Sequence, residues 1–202
     1  MQHYLQLILK NVKPGTQERE GCMVIAFTAP SPKEGVSHVV RSLGEELVRY
    51  TGKRTLIVDA QRLQRLQASD PIRMSQYCVE TEVTNLWIMP PDEGVAAMAR
   101  DEHQAHLPAS ARQHEQQLGF IQALRANFAH VLIDCPSLKA SYLAAMLAPH
   151  VDGLVLVVEA DRTKRDQIQR AQQLVETADG RLLGLVLNKR QYPVPEWLYK
   201  RL

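Results

Sequence analysis

The chain has 202 residues, 45% of them apolar, enough to bury a full core and, at about 150 residues per domain, read as one domain over 1–202. Lysine and arginine number 24 against 22 acidic residues, a formal charge of +2, and this balance excludes nucleic acid as the main partner. Cys22, Cys78 and Cys135 are odd in number and lack CxxC spacing, which excludes a disulfide framework and favours the cytoplasm; no apolar run reaches the roughly 20 residues that span a bilayer.

In chain order, residues 1–20 read as a helical extension, interrupted by too many polar groups to be a signal peptide. The first apolar run, CMVIAFT (22–28), is followed by APSPKEGVSH and then by Val36, Val39, Val40, Leu43 and Leu47. Their three-to-four-residue steps predict a helix that ends near Gly52, a residue free to take the left-handed cap. RTLIVDA (54–60) and NLWIMP (85–90) come next. Residues 91–115 are polar and alanine-rich, and read as a short helix and an exposed connection; His103, His106 and His114, with Glu102 and Glu115, fall there and present no rigid ligand face. Leu118, Ile121, Leu124 and Phe128 predict a helix before HVLIDCP (130–136). GLVLVVEA (153–160) leads to a segment with Thr163 as N-cap, Ile168, Ala171, Leu174 and Val175 as its inner face and Gly180 as its stop. LLGLVLN (182–188) closes the set, and a tail from residue 190 follows.

These runs are nearly continuous rather than alternating, the pattern of strands covered on both faces. Alternation with helices predicts an α/β fold: a mostly parallel sheet flanked by helices on both faces, with seven or eight strands at most. In such sheets ligands sit beyond the carboxyl ends of the strands. That rule selects the loop Pro32, Lys33, Glu34, Gly35, Val36, Ser37 and His38, then Asp59, Asp134 and Asn188. A GxxxxGKS loop binds phosphate through inward N–H groups, a helix N-terminus, a lysine and a metal-binding hydroxyl. Here Gly35 and Ser37 are present, Val36 stands where the lysine belongs, and Lys33 where a glycine would ease the backbone. Ser37 has two readings, helix cap or metal ligand. Asp59 and Asp134 have two as well, a cap for the following turn or a nucleotide-site carboxylate. Cys135, beside Asp134, reads as packing.

Several of these stretches together resemble one family, the bacterial tyrosine kinases (BY-kinases) of capsule and exopolysaccharide synthesis, within the ParA/MinD-like P-loop ATPases. TAPSPKEGVSH is similar to the family's TSxxPGEGKST, LIVDAQR to LLIDxDxR, and VLIDCPS to VIIDTPP; VDGLVLVVEADRT and LLGLVLNKRQYP extend the likeness over nearly the whole chain. The resemblance implies ATP or ADP with Mg2+ as ligands. It implies Asp59 and Asp134 as catalytic carboxylates, Ser37 with both of them at the metal, and Asn188 at the adenine. Tyr192 and Tyr199 stand where the family carries a phosphorylated tail. The implied partners are a membrane adaptor or a polysaccharide polymerase or export protein, with homo-oligomers, and the implied place is the cytoplasmic face of the membrane. Val36 for lysine, Lys33 for glycine, His38 for threonine and Gln61 for aspartate depart from the family pattern. They imply a weakly nucleotide-binding or non-catalytic regulatory partner. The alternatives are a kinase whose charge has moved to Lys33, or a positioning scaffold of the ParA/MinD kind.

Overall fold

All six apolar runs are strands. In this computed structural model, which describes residues 21–65, 78–89 and 121–190, they are β1 (Met23–Thr28), β2 (Thr55–Asp59), β4 (Leu86–Ile88), β5 (His130–Asp134), β6 (Gly153–Glu159) and β7 (Leu182–Asn188). A seventh, β3 (Val79–Glu80), pairs antiparallel with β4 at the sheet edge; its two exposed residues carry no apolar run that a sequence reading could find. The sheet order is β3-β4-β2-β5-β1-β6-β7, parallel apart from β3.

β1 lies between β5 and β6, and alternate residues bury into two separate cores. Ile25 and Phe27 face helix α1 (Val36–Thr51), whose Val39, Val40, Leu43 and Leu47 fill that side with Leu132, Val155 and Val157. Val24 and Ala26 face the opposite core, built from a helix over 121–127 (α3), α4 (Leu143–Leu147) and α5 (Arg165–Thr177), together with Leu63 of α2 (Ala60–Arg65). Burial from both sides is why these strands read as unbroken apolar runs. The edge strand β7 departs from that expectation: Leu185 and Leu187 are exposed, because no further strand or described helix covers its outer part.

Gly52 ends α1 as its sequence position predicts, with φ 65° and its N–H donated to the Val48 carbonyl at 2.7 Å. The helix α5 corrects the reading of its own start. Lys164, not Thr163, is the N-cap residue, and Leu174 lies outward at 39% exposure, leaving Ala171 and Val175 as the buried face. The helix stops at Thr177, where the left-handed residue is Asp179 (φ 53°) rather than Gly180. At the amino end of β1, Asp152 accepts the Val24 N–H at 2.7 Å and a two-pronged pair from Arg125 at 2.9 Å, while Arg125 also donates to the Cys22 carbonyl.

None of the three cysteines is in a disulfide, and Cys135 is 2% exposed. Among the described residues no helix is long and apolar enough to cross a membrane. The extension 1–20, the histidine segment 91–115 and the tail beyond Arg190, with Tyr192, Trp197, Leu198 and Tyr199, lie outside the described residues.

Candidate functional site

The carboxyl ends of the parallel strands meet at one cleft of about 400 Å3. β1 delivers the loop 29–35, β2 delivers Asp59, and β5 delivers Asp134, which sits in register with Asp59 on one side and Phe27 on the other. The chain can turn from β1 into α1 so tightly because two residues take left-handed conformations, Lys33 (φ 70°) and Gly35 (φ 92°). Gly35 is the N-cap residue of α1 and makes no side-chain cap bond. That overturns the capping reading of Ser37, which instead lines the cleft beside the Asp134 carboxylate.

The structure brings most of the sequence-selected residues together. Ser31, Pro32, Lys33, Glu34, Gly35, Val36 and Ser37 line the cleft with Asp59 and Asp134, and Gln61 joins them. Burial pushes the Asp134 carboxyl above the usual carboxylate range; the Ser37 hydrogen bond pulls it down, and the neighbouring Asp59 pushes it up. Asp59 is exposed and accepts the Gln61 N–H at 2.8 Å, so it does hold the turn into α2 as well as facing the cleft. His38 is exposed on the first turn of α1 and is not among the cleft residues. Val36, at the lysine position, is 9% exposed and packs into the core beneath the loop. Burial and both aspartates drive the Cys135 thiol far upward, which keeps it protonated and inert.

Asn188 lies behind the loop. Its side-chain amide donates to the Glu34 carbonyl at 2.8 Å and stands so close to Gly35 that a β-carbon there would lie 2.2 Å from the amide nitrogen. The sequence reading missed three neighbours. Lys189 donates to the Lys33 carbonyl at 2.5 Å and to Glu159 at 3.0 Å. Thr163 donates to the Glu34 carboxylate at 2.9 Å while accepting the Glu159 N–H at 3.0 Å. Glu34 is 4% exposed with one oxygen unpartnered; burial raises its pKa, the Thr163 bond lowers it and Glu159 raises it. Lys189 holds the Glu159 carboxyl below the usual range. The signal for Lys189 was available, since it follows Asn188 at the same strand end. Thr163 carried none, because its partner Glu34 is 129 residues away in sequence, and Glu159 enters the site through Lys189 and Thr163.

A glycine-bearing loop between a central strand and a helix, faced by carboxylates ending the adjacent strands, is the arrangement of a P-loop site. Solved structures agree on the fold. The chain superposes on the chimeric protein CapA2B2 with a TM-score of 0.65 at 19% identity, covering 93% of this chain and 82% of that one. For the kinase domain of the Escherichia coli tyrosine kinase ETK the TM-score is 0.62 at 15% identity, over 89% and 72%. For the septum site-determining protein MinD of Pyrococcus horikoshii, complexed with Mg-ADP, it is 0.58 at 15%, over 89% and 76%. The chain thus has the P-loop NTPase fold shared by these kinase-domain and MinD structures.

No family model matches the chain. It is 25% identical over 204 residues to the tyrosine-protein kinase CpsD of Streptococcus agalactiae, spanning 93% of this chain and 83% of that protein. It is 28% identical over 181 residues to the succinoglycan biosynthesis transport protein ExoP of Rhizobium meliloti, 82% of this chain and 22% of that much longer one. These relatives narrow the likeness: over most of its length the chain is similar to bacterial tyrosine-protein kinases of the CpsD kind.

Proposed function

We propose that this chain is a BY-kinase-like component of bacterial capsule or exopolysaccharide assembly that binds ATP or ADP weakly and serves as a regulatory partner rather than an efficient kinase. One observation carries the second half of that reading. Among the residues that line the cleft, Lys33 is the single cation, against Glu34, Asp59 and Asp134, because Val36 spends its side chain on the core. Phosphoryl transfer depends on stabilising charge spread over the moving group, and losing a cation there costs about 4 kcal/mol, on the order of a thousandfold in rate. The oxygen donors Ser37, Asp59 and Asp134 suit Mg2+, a hard cation, and would hold it beside the phosphates. When bound, the metal would supply charge neutralisation; the chain's own share is the loop amides and the placing of Ser37 beside Asp134 in the cleft.

CpsD and ExoP support the polysaccharide setting and a membrane adaptor or export protein as partner, which would bring the chain to the inner membrane face. Tyr192 and Tyr199 are the proposed phosphate acceptors. A second reading, a working tyrosine kinase with a relocated charge, has one observation in its favour: Lys33 is exposed and lines the cleft.

Thermal-shift and labelled-ATP assays with and without Mg2+ test both. The regulatory reading expects a small shift with ADP, no phosphotyrosine in the wild type, and tighter nucleotide binding in Val36→Lys. Phosphate incorporation by the wild type that disappears in Lys33→Ala would replace it with the second reading. No shift in either form would end the nucleotide-binding reading altogether.

A further inference from the structure

The phosphate loop is held from behind by a set of side chains that the nucleotide reading does not use. Lys189 reaches the Lys33 carbonyl, the Asn188 amide reaches the Glu34 carbonyl, and the Thr163 hydroxyl reaches the Glu34 carboxylate. Glu159 steadies the set, accepting from Lys189 through its carboxylate and donating its N–H to Thr163. All four belong to the ends of β6 and β7 or the turn between β6 and α5, whereas Asp59 and Asp134 stand at the ends of β2 and β5, on the other side of β1.

That placement has a directional consequence. In a trans peptide the carbonyl and the next N–H point to opposite sides of one plane, and the chain has no cis bond here. Fixing the Lys33 carbonyl toward Lys189 therefore turns the Glu34 N–H away from β7, and fixing the Glu34 carbonyl toward Asn188 does the same for the Gly35 N–H. Away from β7 is toward the cleft. Two backbone donors are thus set toward the place an oxyanion would occupy, before any ligand arrives.

A second, independent feature marks the same contact. Lys189 itself has φ 55°, and the Lys33 whose carbonyl it binds has φ 70°. Non-glycine residues in left-handed conformations are strained and persist where surroundings over-determine them. Here two such lysines meet end to end.

We infer that Lys189, with Asn188 and Thr163, is the positioning apparatus of this phosphate loop, and that the lysine on which the loop's anion-ready shape depends acts on its carbonyls from behind rather than on phosphate from within. The ligand class is a phosphate-bearing nucleotide, and this part rests on the proposed function; the preset loop shape does not. It also separates the roles of two lysines: Lys189 shapes the loop, while Lys33 lends its backbone and leaves its side chain outside the clamp.

The test uses the full chain and two readouts. Backbone 15N order parameters without nucleotide, in wild type, Lys189→Met and Lys189→Arg, read the loop alone. Lys189→Met is expected to lower the order parameters at Glu34 and Gly35 from about 0.85 to below about 0.6 while β1 and β5 amides keep theirs; Lys189→Arg, which retains a donor, restores most of the order. Calorimetry with ADP should show at least a tenfold weaker affinity for Lys189→Met, and a change under threefold for Lys189→Arg. Unchanged order parameters at Glu34 and Gly35 in Lys189→Met overturn the inference whatever ADP does. If the wild type binds no ADP, the nucleotide reading falls and the order parameters alone decide the clamp. Should Lys189→Met lose its fold, Asn188→Ala, which removes the neighbouring hydrogen bond to the Glu34 carbonyl, carries the same expectation and the same refutation.

Discussion

Replacing Gly35 by alanine probes the tightest point of the site. The glycine sits at φ 92°, where an L side chain costs about 1–3 kcal/mol, offset by the 0.4–1 kcal/mol that alanine gains, roughly, by restricting the unfolded chain. The new β-carbon would stand 2.2 Å from the Asn188 amide nitrogen, so that amide must swing away and surrender its bond to the Glu34 carbonyl, roughly 1 kcal/mol more. The sum for Gly35→Ala is about 2 kcal/mol. Asn188→Ala alone removes the same hydrogen bond, for about 1 kcal/mol. In the double variant that bond is lost once, not twice, so the cycle closes with a coupling of about 1 kcal/mol. Urea unfolding of the four proteins measures it. Strictly additive losses, or a Gly35→Ala cost below about 0.5 kcal/mol, would show that neither the contact nor the left-handed backbone is as described.

Three further outcomes follow from other parts of the molecule. Asp134→Asn keeps an acceptor for Ser37 but removes a buried charge beside Asp59, so at pH 7 the variant should be more stable, by about 1 kcal/mol or a Tm rise of about 3 °C, while losing whatever metal-dependent chemistry the site has; a fall in Tm would contradict it. His130, buried against Thr55 with its pKa pushed down to about 4 by burial and then by Lys53, binds fewer protons folded than unfolded. Stability is therefore unaffected above about pH 6.5 and falls between there and about pH 4, at up to about 1.4 kcal/mol per unit from this residue; His130→Gln should flatten that limb, and an unchanged slope would refute the assignment. Asp152→Ala strips acceptors from Arg125 and the Val24 N–H in a site about one-third exposed, and should cost about 2 kcal/mol in chemical denaturation, with Asp152→Asn milder; equal losses would deny the charge a part.

The sheet was legible because its inner strands are buried on two faces, and a run such as GLVLVVEA has no other comfortable place. Gly52 was legible for a similar reason, as a cap whose backbone demand is local. The cleft followed from the strand-end rule, which placed Asp59, Asp134 and the loop together without any knowledge of strand order. Other features escaped. Thr163 stands before a polar helix and reads as its cap, yet its hydroxyl is taken by a carboxylate 129 positions earlier in the chain. Ser37 stands at a helix start and reads the same way, yet Gly35 is the N-cap residue and Ser37 lines the cleft beside Asp134, nearly a hundred positions on. In both cases a short polar side chain had a local and a distant partner to choose from, and sequence displays the local one alone. β3 has too few residues for any period to appear, and its pairing depends on β4 lying alongside.

The knot at the foot of β1 has a mechanical meaning. Any pull on the chain ahead of β1 reaches Cys22 and Val24 first, both fastened by Arg125 and Asp152. Beyond the knot β1 is laced lengthwise to β5 through five residue pairs and to β6 through four, so the pull is shared by ladders loaded in shear. The loop at the far end feels little of it. A load on the amino end of β1 is thus borne along the sheet rather than delivered to the phosphate loop.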